Sequence, residues 1–217
     1  MIDSPRVGWK IAATSIAGQR HIAVEYPLIG QIMSDRVYAS PANLLLRDNR
    51  MRVAEAEFCL RFGRDLPAGD TTLTRETIMD YVDALFPAIE VPDSRFNDFI
   101  RAGAACLVAD NACAREFVLG DEVTGEWRDI ALDRFPVTVY ANDQVATTGT
   151  GSDVLGDPRD ALTFMVNECS RRGLALKAGE FVTTGVIGRP VTIEPNSRIV
   201  ADFGVLGRVE ANFASLP

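Results

Sequence analysis

Histidine is nearly absent from this 217-residue chain, His21 being the only one. That excludes a His-rich metal site and makes any Ser-His-Asp arrangement depend on a single residue. Lysine is almost as scarce. Of 22 basic residues only Lys10 and Lys177 are lysines, and the rest are arginines, which do not give up a proton at working pH. Lys10 therefore stands out as a proton carrier. Cys59, Cys106, Cys113 and Cys169 are scattered through apolar segments without a Cys-x-x-Cys pair, a pattern that favours buried free thiols over zinc or disulfides. No apolar run reaches the length of a membrane span, and the opening MIDSPRVGWK lacks the apolar core of a signal peptide, so the expected compartment is the cytoplasm. Positive charge is not in excess either. A net charge of −8 and a pI near 4.7 argue against nucleic acid or an anionic membrane as partners. An anionic small substrate stays compatible, because a bound divalent cation inverts the local field.

The chain does contain a strand with an unusual polar face. Over Val53 to Leu66, a period of two puts Ala54, Ala56, Phe58, Leu60 and Phe62 on one face, and Val53, Glu55, Glu57, Cys59 and Arg61 on the other. On a strand the two glutamates project together, roughly 7 Å apart. Parallel carboxylates are half of a hard-cation site, since Mg²⁺ and Mn²⁺ prefer oxygen ligands. The same Glu-x-Glu pattern also describes a solvated antiparallel face. Glu90 lies inside the short apolar run Pro87 to Pro92, where an acid is costly to bury unless it is paired or bound to a metal, and it is the natural third ligand. Val7 to Thr14 reads as a strand with Lys10 flanked on its face by Gly8 and Ala12. Either a site lysine approached closely by other groups or an edge-strand lysine in solvent fits that pattern.

Elsewhere, Thr74 reads as an N-cap followed by a helical stripe of Ile78, Tyr81, Val82, Leu85 and Phe86 that stops at Pro87. His21 and Glu25 precede Pro27 and Gly30 in what reads as a mobile connection. Asp93 and Ser94 read as a cap for a helix from Arg95 to Gly103, with Arg95 available to a site carboxylate. Asn142-Asp143 reads as a hairpin turn. Asp157, Pro158, the stripe from Ala161 to Cys169 and Gly173 define the best helix. Thr183-Thr184-Gly185 offers hydroxyl and backbone donors to a substrate carboxylate. Many short strands with few helices give an α+β class built on a bent mixed sheet or roll, and with no linker or repeat residues 1–217 are expected to form one domain.

Several of these stretches taken in order resemble a known family. They are Gly8-Trp9-Lys10-Ile11, Glu55-x-Glu57 with Gly63-Arg64-Asp65-Leu66, Glu90-Val91-Pro92-Asp93-Ser94-Arg95, Ala109-Asp110-Asn111-Ala112, Gly156-Asp157-Pro158 and Phe203 to Val209. Together they look like the 2-keto-4-pentenoate hydratase branch of the fumarylacetoacetate hydrolase superfamily. The resemblance implies a twisted mixed β-roll of the superfamily's C-terminal type. It also implies a Mg²⁺ or Mn²⁺ cofactor on Glu55, Glu57 and Glu90, Lys10 as the catalytic lysine and a small 2-oxo acid as substrate, for which Arg95 and Thr184, read from the residues above, are the expected substrate-binding groups. A homo-oligomer is expected, as is the absence of the family's N-terminal helical segment. Hydration of a short 2-hydroxydienoate or 2-oxo-enoate is the implied activity. Decarboxylation or carbon-carbon hydrolysis of a 2-oxo acid, with His21 and Glu25 activating water, is the alternative within the superfamily, and a non-catalytic keto-acid binder is the alternative outside enzymes.

Overall fold

The computed structural model describes residues 4–69 and 72–214. In chain order the strands are β1 (Arg6–Ala12), β2 (Leu28–Met33), β3 (Val37–Ala39), β4 (Ala42–Leu45), β5 (Val53–Phe62), β6 (Val82–Val91), β7 (Glu116–Leu119), β8 (Pro136–Ala141), β9 (Gln144–Thr150), β10 (Phe181–Thr183), β11 (Val191–Thr192), β12 (Arg198–Asp202) and β13 (Arg208–Ala214). The α-helices are α1 (Ile16–His21), α2 (Arg75–Ile78), α3 (Ala104–Ala109) and α4 (Pro158–Arg171). One sheet of eight strands runs β2-β1-β10-β5-β6-β7-β3, with β11 added beside β5, and a second of five runs β4-β13-β12-β8-β9. Both are mixed: β1 pairs with β10 in parallel, whereas β5 and β6 are antiparallel.

The larger sheet is curled. Its outermost strands, β2 and β3, are joined by only the three residues Ser34–Arg36, and three residues span at most about 11 Å. Ile32 from β2 and Val37 from β3 accordingly share one apolar cluster with Cys59, Ala84, Phe86, Ala88, Phe117 and Phe181, which fills the inside of the curl. The outside packs on the second sheet and α4. Ala54, Ala56, Phe58, Leu60 and Phe62, the apolar face of β5, meet Val137, Val139, Ile199, Ala201, Val209 and Phe213, with Leu162, Met165 and Val166 of α4 closing the layer. Phe58 is fully buried and sets its ring edge-on to Phe203 at 5.2 Å. The longest helix starts as expected, the Asp157 side chain accepting from the Arg159 N–H at 2.8 Å with Pro158 behind it. Asn142 and Asp143 form the β8–β9 turn with φ of 49° and 65°. Among the described residues no helix is long and apolar enough to cross a membrane.

Three expectations are corrected. The helical stripe from Ile78 to Phe86 is helix only to Tyr81; Val82–Val91 is a strand. Flanked by β5 and β7 and covered on one face by the inter-sheet core and on the other by the apolar filling of the curl, it loses the polar alternation that marks a strand, so its apolar spacing passes for a helix. Arg95 to Gly103 contains only the 3-10 turn Phe99–Arg101, since Ser94 and Arg95 bind Asp110 instead of capping a helix. Residues 28–30 belong to a paired strand and not to a loose connection. Of the four thiols, Cys106 is exposed and the other three are buried.

Candidate active site

The strand registers bring the site together. Lys10 lies beside Thr183, Thr183 opposite Cys59, and Glu55 opposite Glu90 across β5 and β6. Directly paired residues share a face, so these side chains, with Glu57 between Glu55 and Cys59, all point into the curl. Lys10 is no edge residue: β1 sits between β2 and β10, and the side chain is buried. Oxygens of Glu55, Glu57 and Glu90 all come within 4.8 Å of one another. Glu57 and Glu90 are buried and Glu55 is partly exposed.

The hydrogen bonds in this cluster are incomplete. Glu57 accepts from the Gly185 N–H through Oε2 at 2.8 Å, and Glu90 pairs with Lys10 Nζ through Oε1 at 3.0 Å. Gly185 can come this close only without a side chain, because a Cβ there would overlap Thr14 Oγ1. Glu57 Oε1, Glu90 Oε2 and Thr183 Oγ1 have no partner, and among the described residues they are the buried side-chain polar atoms left in that state. A buried polar atom without a partner costs about 1–3 kcal/mol, more if charged. All three lie on the same inner face.

Electrostatics carry the same message. Burial first, and then the nearby charge of Glu90, pushes the Glu55 carboxyl up to about 7; burial, Glu90 and Glu55 raise Glu57 well above the ordinary carboxyl range. Burial alone would lower the Lys10 ammonium, but attraction to Glu90, Glu55 and Glu57 outweighs it and raises Lys10 above its usual value. Ionising all three carboxyls against one ammonium would leave two negative charges in a desolvated space. The orphaned oxygens and that surplus fit one divalent cation of the oxygen-preferring kind, with Glu55, Glu57 and Glu90 as the donor set.

The other expected site residues lie elsewhere. The Arg95 guanidinium is 75% exposed and grips Asp110, not one of the three glutamates. The Thr184 hydroxyl donates to the Phe58 carbonyl at 3.1 Å, so its proton is committed to the backbone, and its neighbour Thr183 holds the unpartnered hydroxyl. His21 and Glu25 are exposed, and His21 packs edge-on to Phe99 at 6.3 Å instead of entering the cluster. Period two places Thr183 and Thr184 on opposite faces, but which one faces inward follows from pairing with β5, which no local pattern reveals. Lys10 Nζ also donates to the Ala112 carbonyl at 3.1 Å, a partner without a side-chain signature.

No family model matches the chain. It is 34% identical over 211 residues to a 2-keto-4-pentenoate hydratase from Burkholderia vietnamiensis (strain G4 / LMG 22486), covering 95% of this chain and 78% of that protein. Among solved structures, 4-oxalocrotonate decarboxylase from Pseudomonas putida G7, complexed with magnesium and adipate, superposes with a TM-score of 0.85 at 26% identity, over 97% of this chain and 79% of that one. Fumarylpyruvate hydrolase from Pseudomonas aeruginosa, in complex with Mn²⁺ and pyruvate, superposes with a TM-score of 0.73 at 12% identity, over 98% and 91%, a likeness of fold alone.

Proposed function

The chain belongs to the 2-keto-4-pentenoate hydratase family, and on that premise we propose that it is a divalent-metal-dependent hydratase of a short 2-oxo acid. The observation that carries the reading is the convergence of Glu55, Glu57 and Glu90 on one buried point beside Lys10, with two carboxylate oxygens unpartnered. Glu55, Glu57 and Glu90 would hold a divalent cation such as Mg²⁺ or Mn²⁺, which when bound would supply Lewis-acid polarisation of a 2-oxo acid. Lys10, whose Nζ lies 3.0 Å from Glu90 on the same inner face, would take the proton of the dienol's 2-hydroxyl and return it to the terminal carbon, giving the 2-oxo-3-enoate. Water then adds to the conjugated carbon. The Thr183 hydroxyl is a free donor on the floor of the site, and the layered apolar interior excludes bulk water from the charges.

Decarboxylation of a 2-oxo diacid is the second reading, favoured by the similarity to the decarboxylase bound to adipate. Against it, Lys10 and Arg61, two cations on the glutamates' face of β1 and β5, are already paired, Lys10 with Glu90 and Arg61 with Asp83 and Glu122. The test is a steady-state assay of metal-stripped protein on the enol of 2-keto-4-pentenoate and on 4-oxalocrotonate, before and after adding Mg²⁺ or Mn²⁺. Hydration of the first compound that appears only with metal supports the proposal; release of carbon dioxide from the second, with no hydration of the first, replaces it.

A further inference from the structure

Lys10 is not positioned by carboxylates alone. Its second acceptor, the Ala112 carbonyl, belongs to a turn that is costly to form. Asn111, Ala112 and Cys113 have φ of 56°, 50° and 62°, three consecutive residues with side chains in the left-handed region. Each such residue costs roughly 1–2 kcal/mol, and of the three only asparagine adopts the conformation readily. Left to itself the segment would relax, so something outside it imposes the shape.

The outside support is the edge of the sheet. β2 is a terminal strand, and at Gln31 its outward N–H and C=O are both taken by the Asn111 side chain, Oδ1 accepting at 2.7 Å and Nδ2 donating at 2.8 Å. Asn111 thus substitutes for the missing neighbouring strand. The adjoining residue of β2 is Gly30, where a Cβ would overlap the Asn111 carbonyl oxygen and lie 3.1 Å from Lys10 Cγ; the turn seats against the strand only because that side chain is absent. On its far side the turn is tied down by the Asp93 N–H, which donates to the Cys113 carbonyl at 2.9 Å. Between the two anchors the Ala112 carbonyl is aimed at Lys10 Nζ.

We infer that Asn111 is a positioning residue for Lys10: its clamp on Gln31 holds the left-handed turn, and the turn's Ala112 carbonyl fixes the ammonium at the end of a flexible stem. Glu90 and Ala112 take two of the three N–H donors and leave the third for the reacting molecule. The inference rests on Lys10 being the proton carrier. A misplacement of about 1 Å at such a group costs about 10²-fold in rate, without weakening binding in proportion.

The experiment uses the full chain loaded with Mg²⁺ and compares wild type, Lys10→Met, Asn111→Gly and Asn111→Asp. Glycine keeps the left-handed backbone and removes the clamp; aspartate keeps the acceptor and removes the donor. Turnover and KM on the enol of 2-keto-4-pentenoate are read together with Mg²⁺ affinity and with acylation of Lys10 by acetic anhydride. Lys177, the other lysine, with a side chain 60% exposed, is the internal standard. Alkylation of the buried Cys59 and Cys169 monitors the fold. For Asn111→Gly we expect kcat to fall by about 10- to 100-fold, with KM, Mg²⁺ affinity and the two thiols unchanged and Lys10 acylated several-fold faster relative to Lys177. Asn111→Asp should fall between it and wild type. Wild-type kcat and Lys10 labelling in both variants, beside an inactive Lys10→Met, overturn the positioning role alone, as does a loss of kcat that comes only with exposure of Cys59 and Cys169. A fully active Lys10→Met overturns the proton-carrier reading as well.

Discussion

Replacing Glu57 by glutamine should stabilise the metal-free protein and destabilise the metal-loaded one. Glu57 has no exposed surface, one oxygen held by the Gly185 N–H and the other facing Glu55 and Glu90 without a partner. At pH 8 without a cation, ionising that carboxyl opposes burial and two like charges. Glutamine keeps the shape, can keep an oxygen toward Gly185, and turns an amide toward the neighbouring carboxylates. Removing an unsatisfied buried polar atom is worth about 1–3 kcal/mol. For a chain of this size each kcal/mol moves Tm by about 2–4 °C, so chelated Glu57→Gln should melt roughly 2–12 °C above chelated wild type. With Mg²⁺ at about a thousand times its Kd the wild type gains about 4.1 kcal/mol, while the variant, having lost a charged ligand, gains far less. The order of the two melting curves therefore inverts between EDTA and excess Mg²⁺. Differential scanning calorimetry in the two buffers is the assay. A variant that melts below wild type in EDTA, or that gains as much from Mg²⁺, would refute the idea that these carboxylates are assembled for a cation.

Lys10→Met and Lys10→Arg should both lower turnover by about 10² to 10⁴, with Mg²⁺ affinity measured by calorimetry kept within a small factor, because an arginine cannot pass on a proton; near-wild-type turnover in Lys10→Arg counts against the role. His21→Ala and Arg95→Ala, at exposed side chains that contact Phe99 and Asp110 and not the three glutamates, should leave kcat/KM nearly unchanged. The metal-free protein should lose stability as pH rises from the ordinary carboxyl value near 4.5 to about 7. Over that window Glu55 holds its proton in the folded chain but not in the unfolded one, with a slope of up to about 1.4 kcal/mol per pH unit for each such group. Lys10, raised above its usual value, adds no slope there. Denaturant titrations should show the trend flattened in Glu55→Gln and in excess Mg²⁺, and an unchanged slope in both excludes Glu55 as its source. Thr183→Val should raise the stability of the metal-free chain by about 1 kcal/mol or more, since it removes a buried hydroxyl without a partner; a loss of stability in the same titrations would mean that the hydroxyl is satisfied after all.

What the sequence made legible was whatever one strand or one helix decides by itself. Period two in Val53–Phe62 assigned both faces of β5, and Asp157-Pro158 set the start of α4. Glu90 emerged from its apolar surroundings, and Lys10 from the scarcity of lysine. What failed depends on partners far away in the chain. Val82–Val91 alternates only once its two neighbours are known, because it is buried on both sides. Thr184 and Thr183 exchange roles according to the register with β5. Arg95 is drawn to Asp110, a residue that a helix-capping pattern around Asp93-Ser94 does not anticipate. Asp110-Asn111 signals a turn locally, but the left-handed run through Ala112 and Cys113 follows from contacts with Gly30 and Gln31 on another strand.

The central claim is that Glu55, Glu57 and Glu90 hold one divalent cation beside Lys10. Diffraction from crystals of the full chain soaked in Mn²⁺, recorded at an energy where manganese scatters anomalously, locates the ion directly. The account predicts a single strong anomalous peak within roughly 2.0–2.3 Å of an oxygen of each of the three glutamates, absent from Glu57→Gln crystals treated in the same way. A peak elsewhere on the chain, or none between these carboxylates in the wild type, would contradict it.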